Sequence, residues 1–185
     1  YNFQNVKTAM KIADNKVTLD NTTFVFNEEI SGFRINQDVK VGKFVYDLKN
    51  KNGSGNYVLK NLGSDFNIKT FTGNAKISSK NVITGTLNSR LLNARYTVNP
   101  KKQTVVINAR SKGYIKVNYG GNSYVVSPDI ENLVVKFNEA NVLRSGRLRL
   151  KLKDLSVPFI KTIRTNIKIH NGNYRVIGTA GTKGG

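Results

Sequence analysis

The chain has 185 residues, 38% of them hydrophobic, which suffices for one substantial domain with a core and excludes a disordered chain. Lys and Arg number 30 against 11 Asp and Glu, so the formal net charge of +19 favours anionic partners. The absence of cysteine excludes disulfides, zinc–thiolate sites and thiol nucleophiles.

Apolar and polar residues alternate with a period of two along most of the chain, which is typical of strands with one buried face. In the first half this pattern predicts strands at 16–20, 23–27, 30–35, 39–49, 55–62, 66–77, 81–89 and 91–98. The Asn52-Gly53 pair favours a tight hairpin turn between two of these strands. The first half therefore predicts a succession of neighbouring antiparallel strands.

The alternation is clearest in the second half, where 146–153 carries Arg or Lys at every odd position and, after Gly146, Leu at every even one. A helix would spread those charges round its circumference, whereas a strand of about 23 Å sorts them onto two faces. The side chains expected on the apolar face are Ile115, Val117, Leu133, Val135, Phe137, Leu148, Leu150, Leu152, Ile163, Ile167 and Ile169. Those expected on the basic face are Arg147, Arg149, Lys151, Lys153, Lys161, Arg164 and Lys168.

These patterns predict an all-β fold. We expect a predominantly antiparallel meander that forms a curved, taco-like or partly open barrel or sandwich sheet with an apolar concave face. We expect a single domain over 1–185, and the start at Tyr1 rather than Met indicates an excised piece of a longer protein. The segment 154–161 is the best candidate for a helical turn or plug, and Asn171-Gly172 favours the last hairpin turn.

No combination of residues in the sequence indicates catalysis. The single histidine, His170, has neither a nucleophile nor an orienting acid beside it in the sequence. The adjacent pair Glu28-Glu29 would point to opposite faces of a strand, and Asp129 and Glu131 are expected in a loop after Pro128. We therefore expect no enzyme activity, no metal and no cofactor.

Three functions are compatible with these strands, and two of them differ in what covers the apolar face. If it lines a groove, we expect it to hold lipid acyl chains while the basic face meets an anionic membrane surface. If it is closed as a dry sandwich core, we expect a surface adhesin or a structural repeat. A basic nucleic-acid-binding β-domain is the third alternative, and it is disfavoured because 147–153 carries no aromatic ring on which bases could stack.

Three segments carry a family resemblance. NVITGTL at 81–87, RLRLKLK at 147–153 and NYRVIGTAG at 173–181 resemble the repetitive β regions of AsmA-like bacterial envelope proteins of the TamB type, where TamB is the translocation and assembly module subunit. The resemblance implies a taco-like sheet whose hydrophobic groove moves phospholipid between membranes, or assists an outer-membrane β-barrel assembly protein. It also implies a periplasmic location and an inner-membrane anchor in the full-length protein. The β-jellyroll proteins of lipopolysaccharide transport are a close alternative.

Overall fold

The computed structural model describes residues 2–30, 32–137, 142–154, 160–170 and 172–182, and these residues form strands, turns and loops without a helix. The strands are long near both ends of the chain and short in its middle. In chain order they are β1 (Asn2–Ala13), β2 (Lys16–Ile30), β3 (Phe33–Asp47), β4 (Asn52–Asn61), β5 (Thr70–Ile77), β6 (Ile83–Asn88), β7 (Leu92–Asn99), β8 (Thr104–Ser111), β9 (Ile115–Tyr119), β10 (Asn122–Lys136), β11 (Val142–Asp154), β12 (Ile160–His170) and β13 (Asn173–Thr182).

The described strands belong to one antiparallel sheet. Consecutive strands are neighbours from β1 to β8 and from β10 to β13, and β8 pairs directly with the second half of β10. The short β9 pairs with the first half of β10 and lies off the main path. The sheet is not closed into a barrel. The predicted all-β antiparallel meander is therefore confirmed, and its form is one open sheet rather than a sandwich of two.

The strand register gathers the apolar residues onto one side of the sheet, which we call the apolar face. In the second half, Leu148 lies opposite Ile167. In the first half, Leu59 lies between Val39 and Phe71 in a row across β3, β4 and β5. Side chains that alternate along each strand thus meet side chains of the same kind across the ladder, as antiparallel pairing requires. The other side of the sheet, the polar face, carries most of the charged residues.

β-Bulges keep this sorting intact where the alternation shifts by one residue. Leu19 and Phe24 in β2 are five positions apart and would lie on opposite faces of a regular strand. Asn21, with a φ of 47°, inserts the extra residue that returns Phe24 to the apolar face. The two strands predicted at 16–20 and 23–27 are therefore one strand, because the interruption of the alternation between them is a bulge and not a turn.

Two other local predictions were wrong. The turn predicted at Asn52-Gly53 lies at 48–51, because the Asp47 carboxylate accepts hydrogen bonds from the N–H groups of Lys49 (2.9 Å) and Asn50 (3.0 Å). The strand predicted at 30–35 contains the β2–β3 hairpin turn, where Gly32 has a φ of +83°. These local hydrogen bonds and positive φ angles override the alternation of the sequence.

The last hairpin follows its prediction. His170 pairs with Asn173, and Gly172 has the positive φ, +81°, that a two-residue turn needs. Asn171 lies outside the described residues, and so do 155–159, the middle of the predicted helical turn. The flanking parts of that predicted turn belong to β11 and β12.

Pro128 lies inside β10, so the prediction that Asp129 and Glu131 follow it in a loop was wrong. Asp129 pairs with Arg110 of β8, whereas the pairing of β10 with β9 ends at Val126. Pro128 thus occupies the interval where β10 changes partner, and a residue without an N–H is tolerated at such an interruption of the ladder.

A small core forms where the sheet narrows. Through β6, β7 and β8, β5 is separated from β10 by four inter-strand spacings, about 19 Å. Through β9, which pairs with β10 and forms a bridge to Phe66 just before β5, the separation is only two spacings, about 10 Å. Both sets of hydrogen bonds can form only if β6 to β8 bend out of the plane. Apolar side chains fill the space under the bend: Ile68, Phe71 and Ile115, surrounded by Leu59, Phe66, Leu87, Leu91, Leu92, Val117 and Val126.

The loop 61–69 is held in place by side-chain hydrogen bonds. Asn61 donates to the carbonyl of Phe66 (2.7 Å) and accepts from the N–H of Ser64 (2.7 Å). Asp65 accepts from the N–H of Arg34 (2.7 Å), and its own carbonyl accepts from the N–H of Asn118 (2.7 Å). The loop therefore links β3 to β9 across the end of the short strands.

Candidate functional site

The structure places the predicted apolar residues on one side of the sheet. Ile115, Leu133 and Ile169 are buried, with 4%, 7% and 3% of their surfaces exposed. The other residues are half-buried, and Phe137 comes directly after β10. These half-buried residues are Val117, Val135, Phe137, Leu148, Leu150, Leu152, Ile163 and Ile167. The apolar face is therefore partly covered by its own side chains and not by a second described layer.

The apolar face continues to both edges of the sheet. On β1, Val6, Met10 and Ile12 are 60%, 62% and 66% exposed, and on β13 Val176 is 61% exposed. Met10 and Ile12 lie opposite Leu19 and Val17 of β2, so they extend the same face. The described part of the chain leaves these outer apolar side chains uncovered.

Aromatic rings cover glycines in the middle of the apolar face, an arrangement that the sequence did not predict. A Cβ on Gly73 would lie 2.6 Å from Cζ of Tyr57, so the Tyr57 ring occupies the space above this glycine. The Tyr96 ring likewise occupies the space above Gly85. These rings lie flat against the backbone of the sheet. The apolar surface is therefore shallower over them than over the neighbouring aliphatic side chains.

A hydrogen-bond chain fixes the two tyrosines. The Tyr57 hydroxyl donates to the carbonyl of Thr86 at 2.7 Å, and the hydroxyls of Tyr57 and Tyr96 are 2.8 Å apart. Since Tyr57 already donates its one hydroxyl proton to Thr86, Tyr96 must be the donor in the hydrogen bond between the two tyrosines. Burial raises the pKa of Tyr57 well above its ordinary value.

The predicted basic residues lie on the opposite, polar face, where cations face one another. Arg147 lies directly opposite Lys168, which in turn lies opposite Arg175. Lys151 lies opposite Arg164. Like charges in directly opposed positions destabilise a sheet. Of the other predicted basic residues, Arg149 and Lys153 also lie on this face, and the side chain of Lys161 is outside the described part of the structure.

The first half of the polar face pairs its charges differently. Asp20, Asp38 and Asp47 each lie directly opposite a lysine, namely Lys43, Lys60 and Lys16. In the second half, Asp129 and Glu131 lie opposite Arg149 and Arg147, but Arg164, Lys168 and Arg175 have no acid opposite them. Among the described residues, no ion pair within 4.0 Å is formed by the β11–β13 cations Arg147, Arg149, Lys151, Lys153, Arg164, Lys168 and Arg175. The positive charge of Arg164, Lys168 and Arg175 is therefore uncompensated.

Two adjoining hollows lie on this polar face. One of about 650 Å³ spans β6 to β11, and one of about 690 Å³ spans β10 to β13. They share Asp129 and Arg149. The cations that line them are Arg95, Arg110, Lys112, Arg147, Arg149, Lys151 and Arg164. We call the two together the basic hollow.

The loop 111–114 forms one wall of the basic hollow. Asp129 accepts a hydrogen bond from the N–H of Ser111 at 3.1 Å, and the hydroxyls of Ser111 and Ser127 are 2.6 Å apart. Beyond this anchor, the Nζ of Lys153 lies 4.8 Å from the ring centre of Tyr114. The strand 147–153 lacks an aromatic residue in its own sequence, and the fold brings one to it from the loop.

The described residues show no cluster of three His, Cys, Asp or Glu side chains that could hold a metal ion. Nor do they include a helix of the length and apolar character that a membrane span requires. No protein-family model, no curated protein and no solved structure matches the chain. Function must therefore be argued from the two faces of the sheet.

Proposed function

We propose that this chain is a non-enzymatic module of the bacterial cell envelope, in which the apolar face of the sheet carries lipid acyl chains between membranes. The observation that carries the proposal is an apolar face that runs across the strands from β1 to β13 without a second described layer on it. A soluble protein does not leave a surface of this kind uncovered without a partner.

The exposed area of the chain supports an open face. A compact protein of 20.6 kDa exposes about 8,900 Å², whereas this chain exposes 12016 Å². Among the described residues only six hydrophobic side chains are buried: Val39, Ile68, Phe71, Ile115, Leu133 and Ile169. None of the described side chains falls below 2% exposure. A dry-core adhesin of this length would bury many more, and it would need a second sheet.

The chemistry of the face suits acyl chains. Its aliphatic rows make no directional demand on a ligand, and each buried methylene contributes about 0.8 kcal/mol. The rings of Tyr57 and Tyr96 lie flat over Gly73 and Gly85, so a flexible chain has room to lie above the rings. A ligand with many polar groups would find few partners there, because the hydroxyls of both tyrosines already bond to each other and to Thr86.

The resemblance to AsmA-like proteins of the TamB type supports the cellular setting of the proposal. In that setting the module lies in the periplasm, the full-length protein is anchored in the inner membrane, and the cargo is phospholipid. Assistance to an outer-membrane β-barrel assembly protein is the second role that the resemblance implies. Both uncovered edges of the sheet would let further strands of a longer chain extend the same apolar face.

Photocrosslinking from the two faces tests the proposal. A photoreactive amino acid would replace Leu150 on the apolar face or, as the matched control, its neighbour Lys151 on the polar face. We expect position 150 to label phospholipid in bacterial cells and position 151 to label little, because adjacent residues of a strand point to opposite sides. Absence of lipid labelling from position 150, or equal labelling from both positions, would contradict the proposal.

A charge on the apolar face distinguishes an open groove from a closed core. We expect Leu150→Asp to remain folded, as judged by circular dichroism, and to lose the phospholipid that native mass spectrometry detects on the unmodified protein. Leu150 is half-buried, so a carboxylate there stays in contact with water when no lipid is bound. Unfolding of this variant would instead indicate a closed, dry core.

A further inference from the structure

We propose that the basic hollow binds an acidic polysaccharide, a chain of sugars with uronic acid carboxylates. This inference concerns the polar face and does not depend on the function proposed for the apolar face. A lipid whose acyl chains lie on the apolar face cannot place its headgroup in the basic hollow, because the backbone of the sheet separates the two. The hollow therefore calls for a partner of its own.

Charge complementarity indicates an anion. Arg147 opposite Lys168 and Lys151 opposite Arg164 keep like charges at neighbouring positions of the ladder, although in the first half of the same face three aspartates lie opposite lysines. Such an arrangement raises the free energy of the unbound sheet, and an anion that lies between the cations removes the repulsion. Along β11 the cations repeat at every second residue, about 6.8 Å apart, so they offer contacts to a linear polyanion.

The other groups in the hollow favour a sugar chain over a nucleic acid. Asn88, Asn93 and Asn166 present amides that both donate to and accept from hydroxyl groups, and Glu131 is a pure acceptor. Acceptor carboxylates bind sugar hydroxyls. Single-stranded nucleic acids also require several stacking rings, and among the described residues that line the hollow only Tyr114 is aromatic.

The shape of the hollow favours a slender chain over a membrane surface. The loop 111–114 rises beside β10 and β11, where Ser127 and Asp129 hold it by hydrogen bonds, and it walls the larger hollow of about 690 Å³. A flat bilayer would touch the rim of such a recess, whereas an extended oligosaccharide can enter it. The arrangement therefore fits an oligosaccharide that runs along β11 and β12.

Binding of oligogalacturonate tests the proposal, with the same oligosaccharide reduced at its carboxyl groups as the uncharged control ligand. We expect calorimetry to detect binding of the acidic form only. Because each charge-assisted hydrogen bond is worth more than 1 kcal/mol, the double variant Lys151→Gln/Arg164→Gln should bind about tenfold more weakly or worse. The matched variant Lys43→Gln/Lys60→Gln removes the same charge from the first half of the polar face, so its affinity should stay within about twofold of the unchanged protein.

The repulsion between Lys151 and Arg164 can also be tested without a ligand, by thermal unfolding. At low ionic strength Lys151→Gln/Arg164→Gln should raise the midpoint of thermal unfolding, because it removes an opposed pair of cations, whereas Lys43→Gln/Lys60→Gln should lower it. Equal weakening of oligogalacturonate binding by the two double variants would overturn the site. Tighter binding of single-stranded DNA or anionic phospholipid vesicles than of oligogalacturonate, lost in Lys151→Gln/Arg164→Gln, would overturn the choice of partner.

Discussion

At the scale of single residues, glycines on the apolar face make room for rings that lie flat. A Cβ on Gly55 would come 2.8 Å from the Phe44 ring, and one on Gly73 would come 2.6 Å from the Tyr57 ring. Glycine is unfavourable inside a strand because it packs poorly and loses more conformational entropy on folding. The aromatic neighbour offsets this cost by covering the exposed backbone.

We expect Gly73→Ala to lower the free energy of unfolding by about 1–3 kcal/mol, because the new methyl group would collide with the Thr86 carbonyl oxygen and with the Tyr57 ring. Gly113→Ala is the control, since its methyl group would meet only the end of the Leu91 side chain, at 3.1 Å. Urea denaturation measures both variants. Equal stability losses in the two would contradict the importance of the flat ring.

The pKa of Tyr57 gives the stability a dependence on alkaline pH. Burial raises this pKa above its ordinary value of 10.0, so the folded protein keeps a proton that the unfolded chain releases. The stabilisation is complete below the unfolded pKa and is lost as the pH rises through the folded one. We expect the unmodified protein to lose more stability than Tyr57→Phe between about pH 9 and pH 11, as measured by urea denaturation. The same loss in both proteins would count against this assignment.

At the scale of elements, bulges keep long strands sorted into two faces. Ile130 and Leu133 of β10 both lie on the apolar face although three positions separate them, and Asn132 supplies the intervening residue with a φ of 48°. Asparagine is tolerated in this left-handed region more readily than other residues with side chains, and five of the eight such positions described in this chain are asparagines. The abundance of asparagine thus has a structural use.

We expect Asn132→Val to lower the free energy of unfolding by about 1–2 kcal/mol or more, because a β-branched residue is strained at positive φ. Asn132→Gly should leave the stability unchanged or raise it, since glycine adopts this conformation freely. The hydrogen bond from the Asn132 N–H to the Asn108 side chain (3.0 Å) is available to both variants. Urea denaturation compares them, and a greater loss in the glycine variant would argue against the bulge.

At the scale of the whole molecule, a single described layer replaces the two packed layers of an ordinary β domain. The exposed area of 12016 Å² reflects this open architecture. Positive charge is also spread unevenly: residues 1–99 carry 14 cations and 7 acids, whereas 100–185 carry 16 cations and 4 acids. The apolar face is therefore common to the whole sheet, while the strongest positive field belongs to its second half.

Small-angle scattering tests the open architecture directly. A compact chain of 185 residues has a radius of gyration of about 16 Å. We expect the isolated monomer to exceed this value clearly, because one extended layer places its mass further from the centre than two packed layers. A radius near that of a compact globule would show that the apolar face closes on itself in solution.

The period of the sequence was enough to predict the fold class and the two faces. In Leu148, Leu150 and Leu152, and in the cations between them, a period of two is enough to assign each side chain to a side, because a strand has only two. Every predicted apolar residue described within the strands lies on the predicted side. The positions of the bulges were not predictable, since Asn21 and Asn132 interrupt the alternation without any turn signal around them.

Which groups meet across the sheet could not be predicted, because it depends on how the strands pair. Tyr57 reaches Tyr96 over two intervening strands, and Tyr114 reaches Lys153 from a loop nearly forty positions away in the chain. The opposition of Lys151 to Arg164 depends on the register of β11 against β12, which a shift of one residue would abolish. Alternation along a strand is a local property that the sequence contains. The pairing of strands depends on turns, bulges and packing together. It determines where Tyr57 and Tyr96 meet on the apolar face and where the basic hollow lies.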